Sequence, residues 1–168
     1  LSSFDALQGG ENLTMTGAGT ASSANVANSI SLSSNGNLAL ANGSGSSAGL
    51  ASNYSLNSTV INITQRVLNS SGSKTYDANT NAIASIITLS NLAGSETLAH
   101  SGTASTSSAN AGSYTINNLS GISISNGTGT ASNYTLTGGT HSFTIEERII
   151  SVNGTRLYDA TSNAEASD

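Results

Sequence analysis

The chain repeats itself. Tyr76-Asp77-Ala78 returns as Tyr158-Asp159-Ala160, and Ile63 with Arg66 returns as Ile145 with Arg148, in both cases 82 residues further on. Ala51-Ser52-Asn53-Tyr54 returns as Ala131-Ser132-Asn133-Tyr134 after 80 residues, and Ser22-Ser23-Ala24-Asn25 as Ser107-Ser108-Ala109-Asn110 after 85. The drift has a visible cause. Asn42-Gly43-Ser44-Gly45-Ser46 matches Asn126-Gly127-Thr128-Gly129-Thr130, after which the first copy carries the extra Ser47-Ala48-Gly49-Leu50. Self-similarity at a period of domain size predicts a tandem array of small modules.

The phase of the repeat is informative too. By these offsets Leu1 and Asp168 both fall at the level of residue 86. Residues 67–149 then read as a complete module, 1–66 as a module lacking its opening segment, and 150–168 as the opening segment of a following module. Written end to start, Ala166-Ser167-Asp168 and Leu1-Ser2-Ser3 run on as Ala84-Ser85-Ile86-Ile87-Thr88-Leu89 do in the complete copy. The expectation is one unit of a longer repetitive polymer, in which 150–168 completes a 1–66 segment beyond it and does not edge-pair residues 1–66 of its own chain.

A module of about 80 residues buries a marginal core. Charged residues make up 8% of the chain, and Ser, Thr, Asn, Gly and Ala most of it. Disordered chains combine high net charge with no apolar period; here the charge is low and the period is present. The net charge of −5 includes only Arg66, Lys74, Arg148 and Arg156 as fixed cations, so no nucleic-acid footprint is expected. Without cysteine there are no disulfides or thiolate metal sites. Small extracellular domains usually carry disulfides, so the reading that fits is a large secreted bacterial protein stabilised by neighbouring modules. No apolar run approaches the ~20 residues of a membrane helix and no signal peptide opens the chain, as expected of an internal piece.

The periodicity is that of strands. Phe143 and Ile145 alternate with Ser142 and Thr144, Ile122 and Ile124 with Ser123 and Ser125, and Tyr114 and Ile116 flank Thr115, as Tyr134 and Leu136 flank Thr135. Turn signals fall between at Asn42-Gly43, Asn126-Gly127, Gly138-Gly139 and Asn153-Gly154. The prediction is all-β: tandem small immunoglobulin-like β-sandwich modules of about seven short strands, with a β-grasp-like or other β-rich module as the alternative. The strand from His141 is expected to run through Glu146-Glu147-Arg148 to Val152, into the next opening segment without a linker.

The ordered motifs Lys74-Thr75-Tyr76-Asp77-Ala78, Leu92-Ala93-Gly94-Ser95-Glu96, Asn110-Ala111-Gly112-Ser113-Tyr114, Ala131-Ser132-Asn133-Tyr134 and Phe143-Thr144-Ile145 with Arg148 resemble the YDG-type repeat of bacterial haemagglutinin-like surface adhesins. Two departures stand out. Ala78 and Ala160 occupy the place where that family most often has glycine, and the first copy has Asn28-Ser29-Ile30 where the complete copy has Ser113-Tyr114-Thr115. The resemblance implies stalk modules of adhesins exported by two-partner secretion or related routes, without a catalytic centre.

Candidate chemistry is thin. Asp77 with Asn79, repeated as Asp159 with Ser162, suggests half a calcium loop, but calcium takes 6–8 oxygens; an Asp capping a turn after a core tyrosine is the expected role. His100 and His141 are expected at the surface. No nucleophile elbow accompanies the many serines, and Glu146-Glu147 point to opposite faces of a strand. A Lys-Asn crosslink shared by the modules is improbable, because Lys74 is the sole lysine and its equivalent is Arg156. Tyr54, Tyr76, Tyr114, Tyr134 and Tyr158 are expected in the core. Ten Asn-x-Ser/Thr sequons, Asn12, Asn42, Asn53, Asn57, Asn62, Asn69, Asn118, Asn126, Asn133 and Asn153, follow largely from composition. The expectation is therefore no catalytic, metal or cofactor residues, neighbouring copies of the repeat as partners, and a mechanical role outside the bacterial cell. A glycan- or receptor-binding module using the loop Asn42 to Leu50 is the alternative.

Overall fold

The computed structural model describes residues 4, 7–57, 59–116, 119–160 and 162–163. The first copy contains β1 (Leu13–Thr16), β2 (Thr20–Ala21), β3 (Ala27–Ser34), β4 (Ala39–Asn42) and β5 (Val60–Ile63). The second contains β6 (Arg66–Val67), β7 (Asn69–Thr75), β8 (Asn81–Ile83), β9 (Ile87–Ser90), β10 (Leu98–Ser105), β11 (Gly112–Thr115), β12 (Ile122–Asn126), β13 (Tyr134–Thr135) and β14 (His141–Glu146). Among the described residues the only helical pieces are single 3₁₀ turns, so the chain is all-β as its alternating pattern requires. The residues matched at the chain ends, Leu1 and Asp168, lie outside those described, as does the Asn118 sequon.

In the second copy a four-stranded sheet runs β11-β14-β7-β9 and a three-stranded sheet β12-β10-β8. The two share one core, to which Ala82, Ala84, Ile87, Ala104, Ile116, Ile122, Phe143 and Ile145 contribute. β14 pairs antiparallel with β11 and parallel with β7, so the first and last long strands of the module lie side by side at the centre of the sheet. Immunoglobulin sandwiches are built from antiparallel sheets. The parallel central pair departs from that pattern, and the architecture fits the broader β-rich alternative. The count exceeds seven strands because β6, β8 and β13 are pieces of two or three residues.

The first copy follows the same plan with fewer strands. β1 pairs with β4 as β10 does with β12, and β3 pairs with β5 as β11 does with β14. At Ser29 the register slips and φ is +54°, while the Ser29 amide donates to Asn62 Oδ1 at 2.8 Å. This extra residue is a β-bulge. It explains the departure at Asn28-Ser29-Ile30: the bulge brings Ile30, not Ser29, opposite Ile61, as Tyr114 lies opposite Phe143, and Ile30 is buried.

Among the described residues every strand pair falls within residues 13–63 or 66–146. Thr64 and Gln65 alone separate β5 from β6. The copies touch through side chains: Asn133 Oδ1 accepts from the Val26 amide at 2.9 Å, Asn133 Nδ2 donates to Asn25 Oδ1 at 2.9 Å, and Gln65 Nε2 donates to the carbonyls of Ser132 and Tyr134 at 3.1 Å. β14 ends at Glu146 and does not run on to Val152 as expected; residues 147–152 are exposed and form no strand pair among the described residues.

Candidate functional site

The segment 66–75 is held on both sides by strands of the second copy. Arg66 lies beside Tyr134 in the parallel pair of β6 and β13, and the Leu68 amide donates to the Thr135 carbonyl at 2.8 Å. Leu68 is fully buried. Along β7, Ser70, Gly72 and Lys74 turn inward while Ser71, Ser73 and Thr75 face solvent, the two-residue period of a strand. Gly72 lies opposite Phe143 in parallel register, and a Cβ there would stand 2.4 Å from the Ile86 carbonyl oxygen and 2.9 Å from the Phe143 ring. Only glycine leaves room for that ring. Arg66 locks the entrance, donating from Nε and Nη2 to the backbone and side-chain oxygens of Asn91 at 2.6 and 2.8 Å.

Both histidines were expected at the surface; the structure places His141 in the interior and half-buries His100. His141 Nε2 lies 2.9 Å from the Leu136 carbonyl and Nδ1 2.9 Å from Ser70 Oγ. A carbonyl only accepts, so Nε2 carries the proton and Ser70 donates to Nδ1. His100 Nε2 sits 3.0 and 2.9 Å from the carbonyls of Ala84 and Ile87 and donates to that pair. His141 is buried, and His100 half-buried, because their polar atoms find backbone or hydroxyl partners, a signal that single-residue spacing does not carry.

The oxygens of the imagined calcium loop surround an ammonium of the chain itself. Lys74 Nζ lies 2.8 Å from Asp77 Oδ1 and 2.8 Å from both the carbonyl and the side-chain oxygen of Asn79. Asp77 Oδ1 also accepts from the Asn79 amide at 3.2 Å, closing an Asx turn, and its hydrogen bond with Lys74 holds the carboxyl below its usual pKa. Arg156 and Asp159 repeat the ion pair at 2.6 Å. Ala78 and Ala160, each directly after the aspartate, have φ of +62° and +61°. Among the described residues no group of three or more His, Asp or Glu side chains gathers, and no helix is long and apolar enough to cross a membrane.

Sequence reading missed a device present in both copies. Tyr54 donates its hydroxyl to Glu11 Oε2 at 2.6 Å and accepts from the Gln8 amide at 3.2 Å; Tyr134 likewise donates to Glu96 and accepts from the Ala93 amide at 3.1 Å. Both phenols are pushed above their ordinary pKa, chiefly by the hydrogen bond to the carboxylate. The repeat offsets of 80 for the tyrosines and 85 for the glutamates carried the signal. Of the five tyrosines, Tyr134 is buried, Tyr54, Tyr76 and Tyr114 are half-buried, and Tyr158 is exposed, a correction to its expected place in the core.

The loop 42–50 is tied to its own module. Asn12 holds it with Oδ1 accepting from the Ser44 amide and Nδ2 donating to the Ser44 and Ser47 carbonyls, and Asn42 Oδ1 accepts from the Ala51 amide. Asn126 does the same for Ala131. Several sequon asparagines are thus spent on turn geometry. An open recess of about 600 Å³ lies beside Ile116, Leu119, Leu136 and His141, where the His141 nitrogens are already engaged.

Two further regions lack strand partners among the described residues. Among the described residues β5 pairs only with β3 and ends its sheet, where the equivalent β14 is flanked on both sides. Residues 147–160 are exposed and form no strand pair, and Ile149, Ile150, Val152, Leu157 and Tyr158 all lie open to solvent. A YDG domain is found at residues 62–142. Neither a curated protein nor a solved structure matches the chain.

Proposed function

We propose that this chain is a structural, non-catalytic repeat of a secreted bacterial surface adhesin stalk or extracellular filament, assembled by strand complementation between successive units. The observation that carries the reading is the join between the copies. Two residues link β5 to β6, and the hydrogen bonds of Gln65 and Asn133 fasten one copy to the other, so each module is oriented by its neighbour in the manner of a stiff array. Serine, threonine and asparagine on the outer strand faces keep such an array hydrated with few charges. Electron microscopy of the purified native material tests the reading. A continuous thin fibre with an axial spacing of one or two modules supports it; isolated two-module particles overturn it.

A further inference from the structure

We infer that the partner of the open β5 edge is residues 149–158 of a second copy of this chain, added as a parallel strand in the register that β7 takes against β14. This deepens the array reading and rests on it.

The complete module supplies the template. Translating its register by the repeat offset sets Val152 beside Thr59, Asn153 beside Val60, Gly154 beside Ile61, Thr155 beside Asn62 and Arg156 beside Ile63, with Arg148 alongside Tyr54 as Arg66 is alongside Tyr134. The side chains fit that seat. Ile150 corresponds to the fully buried Leu68, yet is 80% exposed here, and Tyr158 corresponds to the half-buried Tyr76, yet is 92% exposed. Gly154 keeps the glycine that Gly72 needs beneath its partner, in a place where nothing now crowds it. The hydrogen-bonded Ser70 and His141 are exchanged together for Val152 and Thr59. So many large apolar side chains exposed on one segment mark an interaction surface, and an open strand edge is closed by backbone hydrogen bonds to an added strand.

A second contact propagates by the same translation. Asn133 clasps Asn25 and the Val26 amide within the chain. Its repeat equivalent, Asn53, and the equivalents of that receptor, Asn110 and Ala111, are all exposed. Asn53 of the receiving copy would therefore clasp Asn110 and Ala111 of the donating one. The two surfaces differ, so the contact is heterologous and generates a head-to-tail filament or a ring. In sequence, the equivalent of Asn91, which receives Arg66, is an alanine at position 6, so the arginine clasp is not repeated there.

The absence of cysteine makes crosslinking a clean test on the full 168-residue chain. Val60→Cys and Asn153→Cys chains, mixed under mild oxidation, should give disulfide-linked heterodimers, whereas Thr14→Cys paired with Asn153→Cys should not. Gly154→Val should leave thermal unfolding of the dilute chain unchanged and lower self-association, read by sedimentation, by at least about tenfold, since one added side chain closes the seat. If Gly154→Val assembles like the parent and no V60C–N153C link forms, the inference and strand complementation fail, while the stalk or filament reading stands on the side-chain join between the copies. If the parent chain stays monomeric at every concentration and forms no link, both fail.

Discussion

Leu68 is fully buried and its repeat counterpart Ile150 is 80% exposed, although the two open equivalent segments in the same chain. Residues 67–76 lie between β14 and β9, with Gly72 beneath Phe143 and Ser70 bonded to His141; residues 149–158 carry the matching glycine, cation and tyrosine and form no strand pair among the described residues. The difference teaches that in a module this small, burial is assigned by the neighbouring strands and not by the segment itself. Strand preference is largely a measure of fit to cross-strand neighbours, and an isolated strand has nowhere to place either its backbone groups or its apolar face.

The sharpest way to break the comparison is truncation at matched positions. Leu68→Ala should destabilise the chain by about 2–5 kcal/mol, the usual loss for a fully buried aliphatic side chain. Ile150→Ala should stay within about 0.5 kcal/mol in the dilute chain, as for an exposed substitution. Urea titrations followed by circular dichroism give both numbers, and equal losses would mean that residues 149–158 are packed in solution.

The next largest contrast is at the glycines. A Cβ on Gly72 meets the Ile86 carbonyl and the Phe143 ring, so Gly72→Val should cost about 1–3 kcal/mol or more through overpacking. Gly154→Val meets nothing and should be silent in the monomer. A silent Gly72→Val would show that the ring has room to move, and the seat would then not select glycine at the matching position either.

Much of this architecture was legible beforehand, and the reasons are local. Alternation at residues 141–145 gave the buried face of β14, because the side-chain period of a strand is written directly into sequence. The repeat offsets gave two copies of one plan. The direction of pairing was not legible: Phe143 faces inward whether its neighbour Gly72 runs parallel or antiparallel. Nor were the buried histidines, since His141 is inside only because Ser70 and the Leu136 carbonyl happen to meet its two nitrogens. The bulge at Ser29 was visible only as a misfit between copies, and its cause required the register.

Where the copies agree, alkaline pH should affect both. Tyr54 and Tyr134 have pKa values raised above their ordinary 10.0 by Glu11 and Glu96. A raised folded-state value favours the protonated phenol in the folded chain. The stability it contributes is therefore fully present below the unfolded value near 10 and is lost as pH rises through the higher folded value. Melting temperature should fall over that window in the parent chain, and the fall should be shallower when Tyr54→Phe and Tyr134→Phe are combined. If one single variant accounts for the whole change, the two clamps are not equivalent and the copies differ by more than their opening strands.

The smallest effect examines the same contrast from the backbone. Ala78 and Ala160 share the left-handed conformation, at φ +62° and +61°, in a turn that each copy closes with an ion pair three residues apart. A Cβ in that region costs roughly 1–2 kcal/mol, and glycine removes the strain while giving part of it back through the entropy of the unfolded chain. Ala78→Gly should therefore stabilise the chain by about 0.5–1 kcal/mol. Ala160→Gly relieves the same strain in a segment that makes no strand pair, so it should leave unfolding of the dilute chain unchanged and register only once residues 149–158 are seated on a second copy. A gain from Ala160→Gly in the monomer would mean that the turn already belongs to a cooperative folded unit, and the opposition between the two segments would have to be withdrawn.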